Sequence, residues 1–104
     1  MTLKELQTAL KAVYPTAYWS FPEGQVPAMP YMTYFETPSD NFGADNKVYH
    51  KRNRVSIELL TRHKDQTAEG NVESKLDSLG LFWNKDETHL DDEDAYEVVY
   101  YVEV

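Results

Sequence analysis

The stretch Y-E-V-V-Y-Y-V-E-V, from Tyr96 to Val104, is an almost uninterrupted run of β-formers. A run this dense predicts a strand that is either buried on both faces or buried on one with a partner on the other. Either way it needs a sheet around it, and the rest of the chain must supply the other strands.

Candidates for them are spaced along the sequence. A-Y-W-S-F, Ala17 to Phe21, is short and aromatic, and Y-M-T-Y-F-E, Tyr31 to Glu36, follows a loop holding three prolines and a glycine. The segment Lys47 to Arg62 is the longest extended candidate, with Val55, Ile57 and Leu59 alternating against Ser56 and Glu58. Its first half is expected to project from the core as one side of a β-hairpin arm. L-F-W-N-K and T-H-L predict a further strand, and L-D-D-E-D turns into the final run.

Two helices are expected. Thr2 and Glu5 have the spacing of a capping box, Leu3, Leu6, Leu10 and Val13 recur at helical spacing, and Pro15 stops the run, predicting a helix over residues 3–13. Asp65 is a plausible N-cap for a second helix in which Val72, Leu76 and Leu79 share a face and Gly80 marks the end, with Gly70 weakening the first turns. The order α-β-β-β-α-β-β predicts one α+β domain over residues 1–104, a mainly antiparallel β-sheet with two helices packed on it and a long β-hairpin arm.

Length and composition agree with one modest core. The 104 residues carry 18 Asp and Glu against 10 Lys and Arg, a formal net charge of -8, and no cysteine. Disulfides, thiolate metal sites and cysteine nucleophiles are thereby excluded, and wrapping of DNA through phosphate contacts is disfavoured. No apolar run approaches a membrane span or the core of a signal peptide, so a soluble chain that is not exported by that route is expected.

No motif carries catalysis. There is no nucleophile elbow, phosphate-binding loop or dinucleotide fingerprint, and His50, His63 and His89 are scattered without ligand spacing. Acid pairs such as Glu36 with Asp40 are what any acidic protein contains. The run Asp91, Asp92, Glu93, Asp94 lacks the alternating ligands and central glycine of a calcium loop and reads as a solvated turn. The tyrosines Tyr31, Tyr34, Tyr96, Tyr100 and Tyr101 have acidic rather than basic flanks, which favours packing over nucleic-acid stacking. The expectation is a protein without enzymatic activity, cofactor or metal.

The feature that stands out against the acidity is D-N-F-G-A-D-N-K-V-Y-H-K-R-N-R, Asp40 to Arg54. It offers Phe42, Lys47, Tyr49, Lys51, Arg52 and Arg54 as candidate interface residues. Two readings stay open: a solvated strand face, or an arm that docks on an acidic surface such as Asp86 to Glu97 of a neighbouring copy. A heterologous contact of the second kind closes into a ring when its rotation allows.

Over most of its length the chain resembles the head-tail joining or tail-terminator proteins, also termed tail-completion proteins, of siphophages and prophages of Gram-positive hosts. The resemblance lies in T-L-K-E-L-Q, P-Y-M-T-Y, S-D-N-F-G-A-D-N-K-V-Y-H-K, R-V-S-I-E-L-L-T-R-H-K-D and D-E-T-H-L-D-D-E-D-A-Y-E-V-V-Y-Y-V-E-V, taken in order and spacing. It implies a virion protein of the head-tail junction, assembled in the host cytoplasm and commonly as a homo-hexameric ring. Such a ring ends tail-tube growth, meets the tail-tube protein and the head-completion or connector protein, and leaves a channel for DNA without binding it specifically. In that setting Asp91, Asp92, Glu93, Asp94 and Glu97 would form an acidic face or channel wall that repels phosphate. A monomeric phage adaptor and a small nucleic-acid-binding regulator are the alternatives from other classes.

Overall fold

The computed structural model describes residues 1–37, 53–91 and 94–104. Phe42, Lys47, Tyr49, Lys51, Arg52, Asp92, Glu93 and the expected hairpin arm lie outside the described residues. Within them the order is α1 (Leu3–Lys11), β1 (Thr16–Tyr18), β2 (Tyr31–Thr37), β3 (Arg54–Thr61), α2 (Gln66–Ser78), β4 (Asn84–Leu90) and β5 (Ala95–Glu103). The fold is α+β.

The strands form one five-stranded sheet in the order β1-β2-β3-β5-β4. β1 runs parallel to β2, and the other three pairings are antiparallel. The β-former run therefore sits between β3 and β4, where both of its edges are hydrogen-bonded. Backbone pairing of Asn53 with Val104, at 2.8 and 2.9 Å, extends the β3–β5 ladder one step further.

Both helices begin on the caps that the sequence predicts. Glu5 N–H donates to Thr2 Oγ1 at 3.1 Å and Thr2 N–H to Glu5 Oε1 at 3.2 Å, completing the capping box. That reciprocal bond draws the Glu5 carboxyl below the ordinary carboxylate range. α1 stops at Lys11 rather than residue 13, with Val13 N–H turning back to the Leu10 carbonyl. Asp65 Oδ1 accepts from Ala68 N–H at 3.0 Å, so α2 starts at Gln66 despite Gly70. It ends on Gly80 at φ 71°, where Gly80 N–H bonds to the Asp77 carbonyl and Leu81 N–H to that of Leu76. Only glycine takes that φ without cost, and the two bonds satisfy carbonyls the helix leaves open.

Alternation along the strands divides the sheet into two unlike faces. Met32 and Tyr34 of β2, Val55, Ile57 and Leu59 of β3, and Val98, Tyr100 and Val102 of β5 are all buried on one of them. Against them pack Leu6 and Leu10 of α1 and Ala68, Val72 and Leu76 of α2, in a single core. The expectation that β5 is buried on both faces or partnered on one resolves into one buried face, with Tyr96, Glu97 and Val99 half-buried and Tyr101 43% exposed.

A polar lattice pins α2 to the β4–β5 side of this core. Glu69 is buried and receives two ammonium groups: Lys64 Nζ donates to its Oε1 at 3.0 Å and Lys85 Nζ at 3.1 Å. Its Oε2 accepts no well-aligned hydrogen bond but lies 2.8 Å from Lys64 Nζ, so it is ion-paired. Lys64 also reaches Glu87 at 2.6 Å and Lys85 reaches Glu73 at 2.9 Å. Tyr100, fully buried, donates its hydroxyl to Glu73 Oε2 at 2.8 Å, and Tyr96 donates to Glu87 Oε2 at 3.2 Å. Trp83 closes the group, its ring edge-on to Tyr100 and its indole N–H on Asp77 at 2.9 Å.

The lattice sets the sign of the pH dependence. Hydrogen bonds from Lys64 to Glu69 and Glu87 raise its pKa above the ordinary 10.5, and the bond to Glu73 does the same for Lys85. Burial, then the bond to Glu73, raises Tyr100 above 10.0. A group with a raised folded pKa stabilises fully below its unfolded value and ceases to as pH climbs through the folded one. The bond from Lys64, then that from Tyr96, lowers Glu87 below 4.5, so its contribution is present above that value and disappears on acidification. Thermal midpoints are expected to be level over roughly pH 5 to 9 and to fall on both sides of that window. Tyr100→Phe, which removes one buried hydroxyl from the lattice, is expected to cost about 1–2 kcal/mol by urea denaturation.

Candidate interaction surface

Among the described residues no helix packs on the other face of the sheet, on which Thr33, Ser56 and Leu60 are nonetheless buried. Tyr31, Thr33 and Phe35 of β2 point to it, as do Arg54, Ser56, Glu58 and Leu60 of β3, Glu97, Val99, Tyr101 and Glu103 of β5, and Asn84, Asp86 and Thr88 of β4. These are the partners across the ladders of residues whose neighbours in sequence face the core. Its middle is built around Val99. Glu58 of β3 and Asp86 of β4 are its direct cross-strand neighbours, and Glu97 and Tyr101 lie two residues away along β5. Direct neighbours sit about 5 Å apart and same-face neighbours along a strand about 7 Å.

Carboxylates dominate this face. Glu58, Asp86, Glu97 and Glu103 stand on it, while Arg54 is its one Lys or Arg at a strand position among the described residues. Arg54 Nε lies 3.7 Å from Glu103 Oε1 at the rim, both side chains being half-exposed. Glu58 accepts a hydrogen bond from Thr33 Oγ1 at 3.3 Å. Partial burial, then a hydrogen bond with Asp86 and the nearby charges of Asp86, Glu97 and Glu58, raises the pKa of Tyr101 above 10.0.

An aromatic corner flanks the acidic middle. Trp19 stacks on Phe35, with ring centroids 4.9 Å apart and planes at 25°, and Tyr18 meets Trp19 edge-on. The expected strand Ala17–Phe21 stops at Tyr18 because Trp19 turns to φ 68°, a left-handed conformation that bulky residues rarely adopt. Its N–H nonetheless bonds to the Tyr34 carbonyl at 2.8 Å. The indole is 58% exposed. At the Arg54 end of β3, where Arg54, Ser56, Asn84 and Tyr101 stand with the loop carrying Leu81 and Phe82, lies a depression of about 680 Å³. Phe82, expected within a strand, lies ahead of β4 and is 85% exposed.

The expected site residues fall in two places. Arg54 opens β3 on the face opposite the helices, and Glu97 lies on the same face at the other end of β5. Asp91 and Asp94 belong to the turn between β4 and β5, with Asp91 Oδ1 2.8 Å from His89 Nδ1 and Asp94 at φ 47°. Trp19, Phe35, Glu58 and Tyr101 were not singled out by sequence reasoning as interface residues, and Asp86 only as the start of the acidic segment Asp86 to Glu97. Alternation alone puts Phe35, Glu58 and Tyr101 opposite the core-facing Tyr34, Ile57 and Tyr100, but it does not say which side the helices cover.

Among the described residues no three His, Asp or Glu side chains converge as metal ligands, and no helix is long and apolar enough to cross a membrane. Comparison with protein-family models, curated proteins and solved structures finds no match. The surface itself is what bears on function. As a check on its aromatic corner, Trp19→Gly is expected to change stability by less than about 1 kcal/mol. Relief of the positive φ offsets loss of a half-exposed ring stack. A larger drop in the urea midpoint would show that Trp19 serves the core instead.

Proposed function

We propose that this protein is a structural subunit of the head-tail junction of a long-tailed phage. Its role is that of a ring-forming tail terminator that ends tail-tube polymerisation and docks the tail to the head connector. The observation that carries the reading is the sheet face opposite the two helices, where the exposed rings of Trp19 and Tyr101 stand beside several carboxylates. Large exposed aromatics are typical anchors of contacts with a partner. The resemblance in the order and spacing of its sequence segments supplies the setting.

The edges of the sheet support contact through a face rather than through strand addition. β1 is only three residues long, and β4 presents Lys85, Asp86, Glu87 and His89 along an exposed edge. Charged and very short edge strands discourage pairing with another chain. The acidic surface also suits the neighbourhood of passing DNA, since carboxylates repel phosphate and favour sliding over binding. In this reading the protein is not an enzyme, assembles in the host cytoplasm and acts in the virion.

Light scattering of the purified protein, alone and mixed with purified tail tubes, tests the proposal. A ring, or a protein that caps tube ends and halts their growth, is expected. A monomer indifferent to tubes would remove the terminator role and leave a monomeric adaptor elsewhere.

A further inference from the structure

We infer that Phe82 anchors a two-fold contact between copies of this chain, each ring seating in the depression beside the other copy's Phe82. The inference goes beyond the junction role and does not depend on it. Phe82 is 85% exposed, the most exposed large apolar side chain among the described residues. A single exposed ring is ordinary on a protein surface. What distinguishes this one is how it is held and what lies next to it.

Phe82 is fixed on both sides in sequence. Before it, α2 closes with Gly80 at φ 71°, Gly80 N–H on the Asp77 carbonyl and Leu81 N–H on that of Leu76 at 3.1 Å, and Leu81 packs against the core. After it, Trp83 sets its indole N–H on Asp77 at 2.9 Å and its ring edge-on to buried Tyr100 at 5.6 Å, with Lys85 Nζ 5.9 Å from its centroid. A ring held between two such attachments has little backbone freedom left to lose when a partner covers it, which is what makes an exposed aromatic an effective anchor.

The depression next to it, about 680 Å³, is lined by Ser56, Leu81, Asn84, Tyr101 and Val102 together with Phe82 itself. It is roomy enough for a phenyl ring and mixes apolar with polar groups, as small interfaces do. Knob and hollow therefore stand on one surface. A second copy turned about a two-fold axis places each ring in the other's hollow, the self-complementary arrangement of an isologous contact.

Charge favours this end of the sheet for a second copy. Each copy carries a formal net charge of -8, so two copies repel wherever acidic groups alone would meet. Glu58 and Asp86 hold strand positions nearer the middle of the sheet, whereas the depression has both Arg54 and Glu103 at its margin, 3.7 Å apart and half-exposed. One cation beside one anion is complementary to its own two-fold mate, because the Arg54 of each copy can face the Glu103 of the other.

The test is sedimentation equilibrium of the intact chain and of two variants. The wild-type chain is expected to form dimers. Phe82→Ser removes the knob and Asn84→Trp fills the hollow, and each alone is expected to weaken the apparent dimer Kd about tenfold or more with an unchanged circular dichroism spectrum. An equimolar mixture of the two regains one of the two contacts, so it is expected to associate more tightly than either variant alone. Should Asn84→Trp fail to fold, Arg54→Glu is expected to weaken the dimer and Arg54→Glu with Glu103→Arg to restore it.

A wild-type monomer, dimers unchanged by Phe82→Ser, or a mixture no tighter than its components would overturn the inference. So would a Phe82→Ser variant that loses stability rather than mass, since the ring would then serve the fold of its own chain.

Discussion

Two helices of nine and thirteen residues pack on one side of a five-stranded sheet. That constraint organises everything else in the molecule. The covered side collects the apolar positions of β2, β3 and β5 into one core with Leu6, Leu10, Val72 and Leu76. The opposite side is more polar, with Thr33 and Ser56 buried, Glu58 half-buried and Thr88 exposed. Its rings and Val99 are what a purely solvated surface would not need.

The two sides handle negative charge differently. On the covered side, Glu69, Glu73 and Glu87 each meet a lysine, and tyrosine hydroxyls take further lone pairs of Glu73 and Glu87. Pairing is needed there because a carboxylate withdrawn from water is costly unless its charge and hydrogen bonds are met. On the other side carboxylates outnumber cations at the described strand positions, where Glu58 accepts from Thr33 and Glu103 pairs with Arg54.

Strain is concentrated at the same surface. Trp19 adopts a left-handed backbone at the end of β1, yet it is held by a backbone bond to Tyr34 and by stacking on Phe35. A cost of about 1–3 kcal/mol at a single residue persists only where surrounding contacts fix it, and such positions gather where a protein meets something else. The turn of the chain at Trp19 lays the indole over the face opposite the helices instead of letting β1 continue along β2.

Local chemistry was legible in the sequence. Thr2 with Glu5, Asp65 and Gly80 mark helix ends through bonds made within a few residues, so their spacing suffices to read them. Alternation in β3 separated Val55, Ile57 and Leu59 from Ser56 and Glu58 before any partner strand was known. The element order and the α+β class followed from these signals. The tertiary structure decided what depends on residues far apart in the chain. It set the insertion of β5 between β3 and β4, the parallel pairing of β1, and the convergence of Lys64 and Lys85 on Glu69. It also decided which side of the β-former run from Tyr96 to Val104 the two helices would cover. Periodicity reports that a strand has two sides, whereas only the placement of α1 and α2 chooses the one they cover.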